Sequence, residues 1–377
     1  MLIGEAALRV LGVSHPNFYG PDPVRGWGLI PGSRGWWRSE GEAFVEINSD
    51  GFRGPSRVRP KPPGVLRVAI LGDSCAEAVQ VPYEATFAAR LERSLATCPG
   101  VGARRVEVLD LGVSGYGTTQ ELLTLRDQGL SFAPDVVLLA FYSGNDVRNN
   151  SRTLDADPAR PYPVVGADGA LSFDDSFRAT GGFRLRSTLP AQWLYRLFNH
   201  VRLLQLAKNG ETAIKTAIGT ARARRNETGG ALQELGLDNA VYSPPTESVW
   251  SAAWSSTEAL FTALRSDSTA AGARFAIVSL TTPMQVNPDR AARDAFARKL
   301  GVADLFYPDD RIVAWGAAHE VPVLALARPL QELAEHERLY LHGFVNSKLG
   351  EGHWNEQGHA AAAERLEPFV CQLLSPR

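Results

Sequence analysis

Ile70-Leu71-Gly72-Asp73-Ser74-Cys75-Ala76 is the stretch that decides how this chain is read. A β-branched and apolar run, Val65 to Leu71, stops abruptly at Gly72-Asp73-Ser74. Such a run reads as a buried strand, and the turn that ends it presents a serine hydroxyl. A helical pattern follows from Tyr83 to Ala96. A serine between the C-terminal end of a strand and a helix is where an α/β protein places a nucleophile. The tripeptide also makes ordinary turns, so the reading depends on the rest of the chain.

Three later segments bear on it. Leu109-Asp110-Leu111-Gly112-Val113-Ser114-Gly115-Tyr116-Gly117 is a short apolar strand running into glycines. Val136 to Tyr142 is a continuous apolar run ending in Ser143-Gly144-Asn145-Asp146. Gly352-His353-Trp354-Asn355-Glu356-Gln357-Gly358-His359 precedes a helical pattern from Ala360 to Leu374. Ser, Gly, Asn and His thus fall in order at strand ends of an alternating β/α chain. In this the sequence resembles the SGNH hydrolases, also called the GDSL esterase/lipase family. Gly72-Asp73-Ser74 matches the nucleophile block, Gly115 the glycine block, Gly144-Asn145-Asp146 the Gly-x-Asn-Asp block and His353 the C-terminal histidine. The resemblance covers about 65–150 and 255–375.

The resemblance implies an α/β fold of three layers, α/β/α, around a five-stranded parallel sheet of flavodoxin-like type. The hydropathy pattern points the same way. Strands are expected at 65–71, 106–111, 135–142, 274–281 and 321–326, and helices at 83–96, 118–130, 251–271, 290–300, 309–318 and 355–374. Strands separated by helices pair in parallel through right-handed crossovers. Near-unbroken apolar strands belong to a sheet covered on both faces. Two domains of description are expected: an N-terminal extension, 1–64, and an α/β domain, 65–377, carrying a cap insertion at about 147–250. The extension is rich in Gly, Pro and Trp, and Phe44-Val45-Glu46-Ile47-Asn48 followed by Ser49-Asp50-Gly51 reads as a strand entering a turn. Trp27, Trp36 and Trp37 read first as packing residues of that extension, with sugar stacking as the alternative. Within the insertion, Ala191–Lys208 has helical spacing and reads as a helix packed on the core, with membrane contact as the alternative, and Thr212–Leu237 is polar and Arg-rich.

Composition narrows the function. With 44% hydrophobic and 21% charged residues, the chain is of ordinary globular type. A net charge of −2 offers no basic field for nucleic acid. Cys75, Cys98 and Cys371 are odd in number and widely spaced, so no disulfide scaffold is expected. That fits a reducing compartment, or an exported protein without disulfides. Leu2 to Val13 is apolar but interrupted by Glu5 and Arg9. It reads as an amphipathic helix on the body, with membrane contact through the N-terminus as the alternative. No run is long enough to span a bilayer, there is no clear cleavable signal peptide, and the location, cytoplasmic or cell-envelope, is left open.

A serine hydroxyl needs a base to take its proton and donors for the oxyanion. On the resemblance, Ser74 is the nucleophile and His353 the base. The oxyanion donors are the backbone N–H groups of Ser74 and Gly115 and the Asn145 side-chain amide. The family's supporting acid stands three residues before the histidine, and here that position is Gly350. Glu351 is the expected substitute, with a backbone carbonyl as the alternative. His353 and His359 lack a third ligand at familiar spacing, so no metal is expected, and no cofactor. There is no Gly-x-Ser-x-Gly elbow, no Walker A and no dinucleotide Gly-x-Gly-x-x-Gly. The expectation is a serine esterase acting on an acyl or O-acetyl ester of a small molecule, glycan or lipid. The alternatives are an O-acyltransferase to a sugar hydroxyl and, from a different class, a non-catalytic carbohydrate-binding module.

Overall fold

The computed structural model describes residues 2–166, 168–207 and 239–375. It opens with α1 (Leu2–Val10) and two antiparallel hairpins, β1 (Tyr19–Asp22) with β2 (Gly26–Leu29) and β3 (Arg34–Trp37) with β4 (Ala43–Glu46). The chain then alternates: β5 (Val65–Gly72), α2 (Ser74–Glu77), α3 (Phe87–Leu95), β6 (Arg105–Asp110), α4 (Thr118–Asp127) and β7 (Val136–Phe141). After β7 come α5 (Asp146–Asn149), α6 (Arg152–Asp155), the hairpin β8 (Tyr162–Val165) and β9 (Leu171–Asp174), α7 (Gly181–Arg186) and α8 (Leu189–His200). The Arg-rich segment Thr212–Leu237 lies outside the described residues. The final stretch holds α9 (Ser248–Ala270), β10 (Arg274–Ser279), α10 (Arg290–Leu300), α11 (Tyr307–Ala318), β11 (Val323–Ala325), α12 (Ala327–Glu337) and α13 (Glu356–Leu374).

The central sheet has five parallel strands in the order β11-β10-β7-β5-β6. Counted along the chain this is 2-1-3-4-5, the flavodoxin-like order. Side chains alternate between its two faces. Ala69, Leu71, Val137, Leu139 and Ile277 join one core with α4, α9 and α11, while Val68, Ile70, Leu138, Ala276 and Val278 join another with α3, α12 and α13. That double cover explains the unbroken apolar strands. The last strand is shorter than expected, Val323–Ala325 rather than 321–326. Pro322 has no N–H to offer a ladder, and its carbonyl accepts from Ile277 N.

The extension shares the first of these cores. Phe18, Leu29, Val45, Ile47 and Phe52 pack in one cluster with β5, β6 and β7. The cysteine expectation needs correction. Cys98, just after α3, and Cys371 in α13 form a disulfide with a Cα–Cα distance of 5.8 Å across 273 residues of sequence. Only Cys75 is free, and it is buried. An odd count with no short spacing gave no sign of the pair, because the fold brings together two helices from opposite ends of the α/β region.

Candidate active site

Strand β5 ends at Gly72, where a side chain is excluded. A Cβ there would meet Ala76 Cβ at 2.8 Å and Ala140 O at 3.2 Å. Asp73 turns the chain, and its carboxylate accepts from Cys75 N at 2.9 Å, capping the single turn α2. Ser74 is the first residue of that turn and is half-buried. The other end of α2 is held from the extension: Arg53, 2% exposed, donates to the carbonyls of Glu77, Ala78 and Val81. A guanidinium on the last carbonyls of a helix satisfies acceptors that would otherwise be unpaired.

His353 reaches the serine from the loop before α13. Its Nε2 lies 2.9 Å from Ser74 Oγ and its Nδ1 2.6 Å from Glu40 Oε2. Glu40 Oε1 also accepts from His353 N at 2.8 Å, so one carboxylate fixes both the ring and the backbone. A carboxylate on Nδ1 requires Nδ1–H, which leaves Nε2 as the acceptor facing the hydroxyl. Gly352, at φ +74°, passes so close to the Glu40 carboxylate that a Cβ would collide with it. The Glu40 turn is tied to the histidine loop by Asn346, which accepts from Gly41 N at 2.9 Å and donates to Gly41 O at 2.8 Å. Beneath the loop, fully buried His342 bonds Gly352 O through Nδ1 at 2.7 Å and Thr281 Oγ1 through Nε2 at 2.9 Å. Burial lowers its pKa to about 4, so it stands as a neutral prop.

The acid beside His353 is therefore Glu40, not Glu351. Glu351 is ion-paired with Lys348 on the surface. The left-handed turns at Gly350 and Gly352 shape this loop, and its sequence neighbours supply no carboxylate to the ring. Glu40 stands 313 residues away in sequence, so no search by spacing around the histidine reaches it.

Of the expected oxyanion residues, Asn145 is bonded to Asp73, the residue before Ser74. Asn145 Nδ2 donates to Asp73 Oδ2 at 3.0 Å, which uses one amide hydrogen and leaves the other for a ligand. Asp73 is fully buried; burial pushes its carboxyl pKa up, opposed by the hydrogen bonds from Cys75 N and Asn145. Asp146, beside Asn145, braces its turn by accepting from Tyr142 N at 2.7 Å. Gly115, at φ +79°, lies in a loop bonded at three successive points. Ser114 N donates to Glu77 Oε2, Trp27 Nε1 donates to Ser114 O at 3.0 Å, and Arg160 Nη2 donates to Gly115 O at 2.9 Å. Among the described residues no hydrogen bond occupies the Gly115 N–H. Glu77 also accepts from Tyr19 OH at 2.7 Å. Sequence reading missed Tyr19, Glu77 and Arg160 at this loop. It assigned Trp27 to packing, and Trp27 also makes this hydrogen bond.

His359 is not at the site. It is buried, stacks on Phe87 with 5.9 Å between ring centroids, and accepts from Phe87 N through Nδ1. Burial lowers its pKa to about 3. Among the described residues no group of three His, Cys, Asp or Glu side chains is placed to hold a metal ion.

No family model and no curated protein matches the chain. Several solved structures resemble it at low identity. An acetyl xylan esterase aligns with TM-score 0.41 and 13% identity, covering 81% of this chain and 100% of its own. A lipolytic protein of the G-D-S-L family from Veillonella parvula aligns with TM-score 0.38 and 14% identity over 81% and 98% of the two chains. A lipase/acylhydrolase from Enterococcus faecalis aligns with TM-score 0.39 and 13% identity over 83% and 98%.

Proposed function

We propose that this chain is a cofactor-independent serine ester hydrolase of the SGNH type, working through an acyl-enzyme on Ser74. The observation that carries the reading is the continuous relay from Ser74 Oγ through His353 to Glu40, at 2.9 Å and 2.6 Å. A hydroxyl, an imidazole in the right tautomer and a carboxylate behind it are the parts of nucleophilic acyl transfer. Ser74 Oγ attacks the ester carbonyl carbon while its proton passes to His353 Nε2. Glu40 stabilises the imidazolium that forms. The N–H groups of Ser74 and Gly115 and the free amide hydrogen of Asn145 receive the negative oxygen of the tetrahedral intermediate. Collapse expels the alcohol, which takes the proton from His353. Water then repeats the sequence on the acyl-serine and releases the acid.

Asp73 keeps the Asn145 amide aimed rather than free to rotate, so the donor needs no reorganisation during the reaction. Its second role is electrostatic: the charges of Asp73 and Glu77 support the protonated form of His353. The test is turnover of aryl esters of rising acyl length and of acetylated sugars, without any acceptor added. Wild-type protein is expected to release acid and Ser74→Ala to lose nearly all turnover while remaining folded by circular dichroism. Ester turnover retained in Ser74→Ala would remove Ser74 from the nucleophile position. Consumption only when a sugar acceptor is supplied would make the reaction an acyl transfer instead.

A further inference from the structure

Helix α1 leaves most of its apolar side chains exposed. A surface helix ordinarily buries its apolar stripe and shows its polar one. In α1 no residue is buried, Leu2, Ile3 and Val10 are 87–88% exposed, and Leu11 just beyond it is exposed as well. Glu5 faces the protein instead, its side chain 18% exposed, while Arg9 is 55% exposed. Glu5 accepts from the backbone N–H groups of Arg202 and Leu203, both at 3.1 Å, and Arg9 Nη2 donates to His200 O at 2.6 Å. The partner segment shows the same character. Leu185 in α7 and Leu189, Trp193 and Leu194 in α8 are all exposed, Leu189 at 81% and Trp193 at 64%.

Charge selects what such a surface would meet. From Ser176 to Ala207 the sequence contains Arg178, Arg184, Arg186, Arg196 and Arg202 and no Asp or Glu. Arg184 and Arg186 are exposed and flank Leu185. A chain of net charge −2 thus concentrates basic residues in a stretch that also exposes Leu185, Leu189, Trp193 and Leu194. Leucines beside a tryptophan, interleaved with arginines, are the composition of helices that lie in the interface of an anionic bilayer. None of the described helices is long and apolar enough to cross a membrane.

We propose that α1, α7 and α8 form a docking surface for an anionic phospholipid bilayer. Leu2, Ile3, Leu189, Trp193 and Leu194 enter the headgroup–acyl boundary, and Arg184 and Arg186 bind lipid phosphates. Ser74 and His353 take no part in this contact, so docking stands apart from the chemistry proposed above.

The test is flotation of the full chain with vesicles of phosphatidylcholine alone and with an equimolar mixture of phosphatidylcholine and phosphatidylglycerol. The wild type is expected to float with the mixed vesicles, and about tenfold less with phosphatidylcholine alone or at high salt. Leu189→Glu combined with Trp193→Glu should reduce flotation at least about tenfold, and Arg184→Gln with Arg186→Gln by roughly tenfold. All four positions are exposed, and turnover of a soluble aryl ester should stay at the wild-type level in both variants. Absence of flotation on the mixed vesicles, or full flotation of the Leu189/Trp193 variant, overturns the proposal. It is equally overturned if lipid-free sedimentation shows self-association that these substitutions abolish while no vesicle binds, which would assign the face to a second copy of the chain.

Discussion

The imidazole of His353 lies under opposing influences. Burial works to lower its pKa, while the hydrogen bond and charge of Glu40, with the charges of Asp73 and Glu77, raise it above its ordinary value of 6.5. The raising influences prevail. Burial likewise works to raise Glu40, but its bonds to His353 hold it below the usual carboxylate range, so it is ionised at neutral pH. A base must be unprotonated to accept the serine proton. Activity is therefore expected to fall as pH drops through a value above 6.5, and a kcat/KM profile checks this. Removing the carboxylate charge in Glu40→Gln should move that acid limb to lower pH and cut kcat by about 10–10⁴. Asn145→Ala should lower kcat by about 10²–10³ with little change in KM, because the amide acts on charge that exists mainly in the transition state. A mutant that lost only affinity would take Asn145 out of the oxyanion role.

The elements that hold these residues come from both ends of the chain. The strand-end positions of Ser74, Gly115 and Asn145 were legible because apolar strands and glycine turns are local patterns. The supporting contacts were not, since β1, β2 and the Glu40 turn reach the site only through tertiary packing. Tyr19 in β1 and Ser114 both bond Glu77, whose own position is fixed three residues after the nucleophile in α2. Glu77 is fully buried, and burial raises its pKa against the bonds from Ser114 and Tyr19. Tyr19→Phe leaves that carboxylate short of a donor, at a cost of about 1–3 kcal/mol measured by urea denaturation. The same variant should lower kcat more than it raises KM, because Glu77 also carries Ser114, which precedes the Gly115 oxyanion donor. Unchanged stability and unchanged kcat would show that the clamp has no role.

At the scale of the molecule, the Cys98–Cys371 disulfide ties α3 to α13, the helix that follows the His353 loop. Replacing both cysteines by serine should cost about 2–5 kcal/mol, read as a fall in Tm, with turnover per folded molecule preserved. That pairing and the supporting acid escaped sequence reading for one reason: each joins residues hundreds of positions apart, with no spacing rule to link them. Parallel strands and their crossovers, by contrast, are written in local hydropathy. The central claim is that Ser74 is a nucleophile activated by His353, with Glu40 from the extension completing the relay. A fluorophosphonate, which modifies only an activated serine, tests it most directly, with mass spectrometry locating the adduct. The account predicts labelling at Ser74 at the same rate in wild type and Glu351→Gln, slowed by about 10–10³ in Glu40→Gln, and absent in Ser74→Ala. An adduct at Ser114 or Ser143, or a Glu351→Gln protein slowed while Glu40→Gln reacts at the wild-type rate, would contradict it.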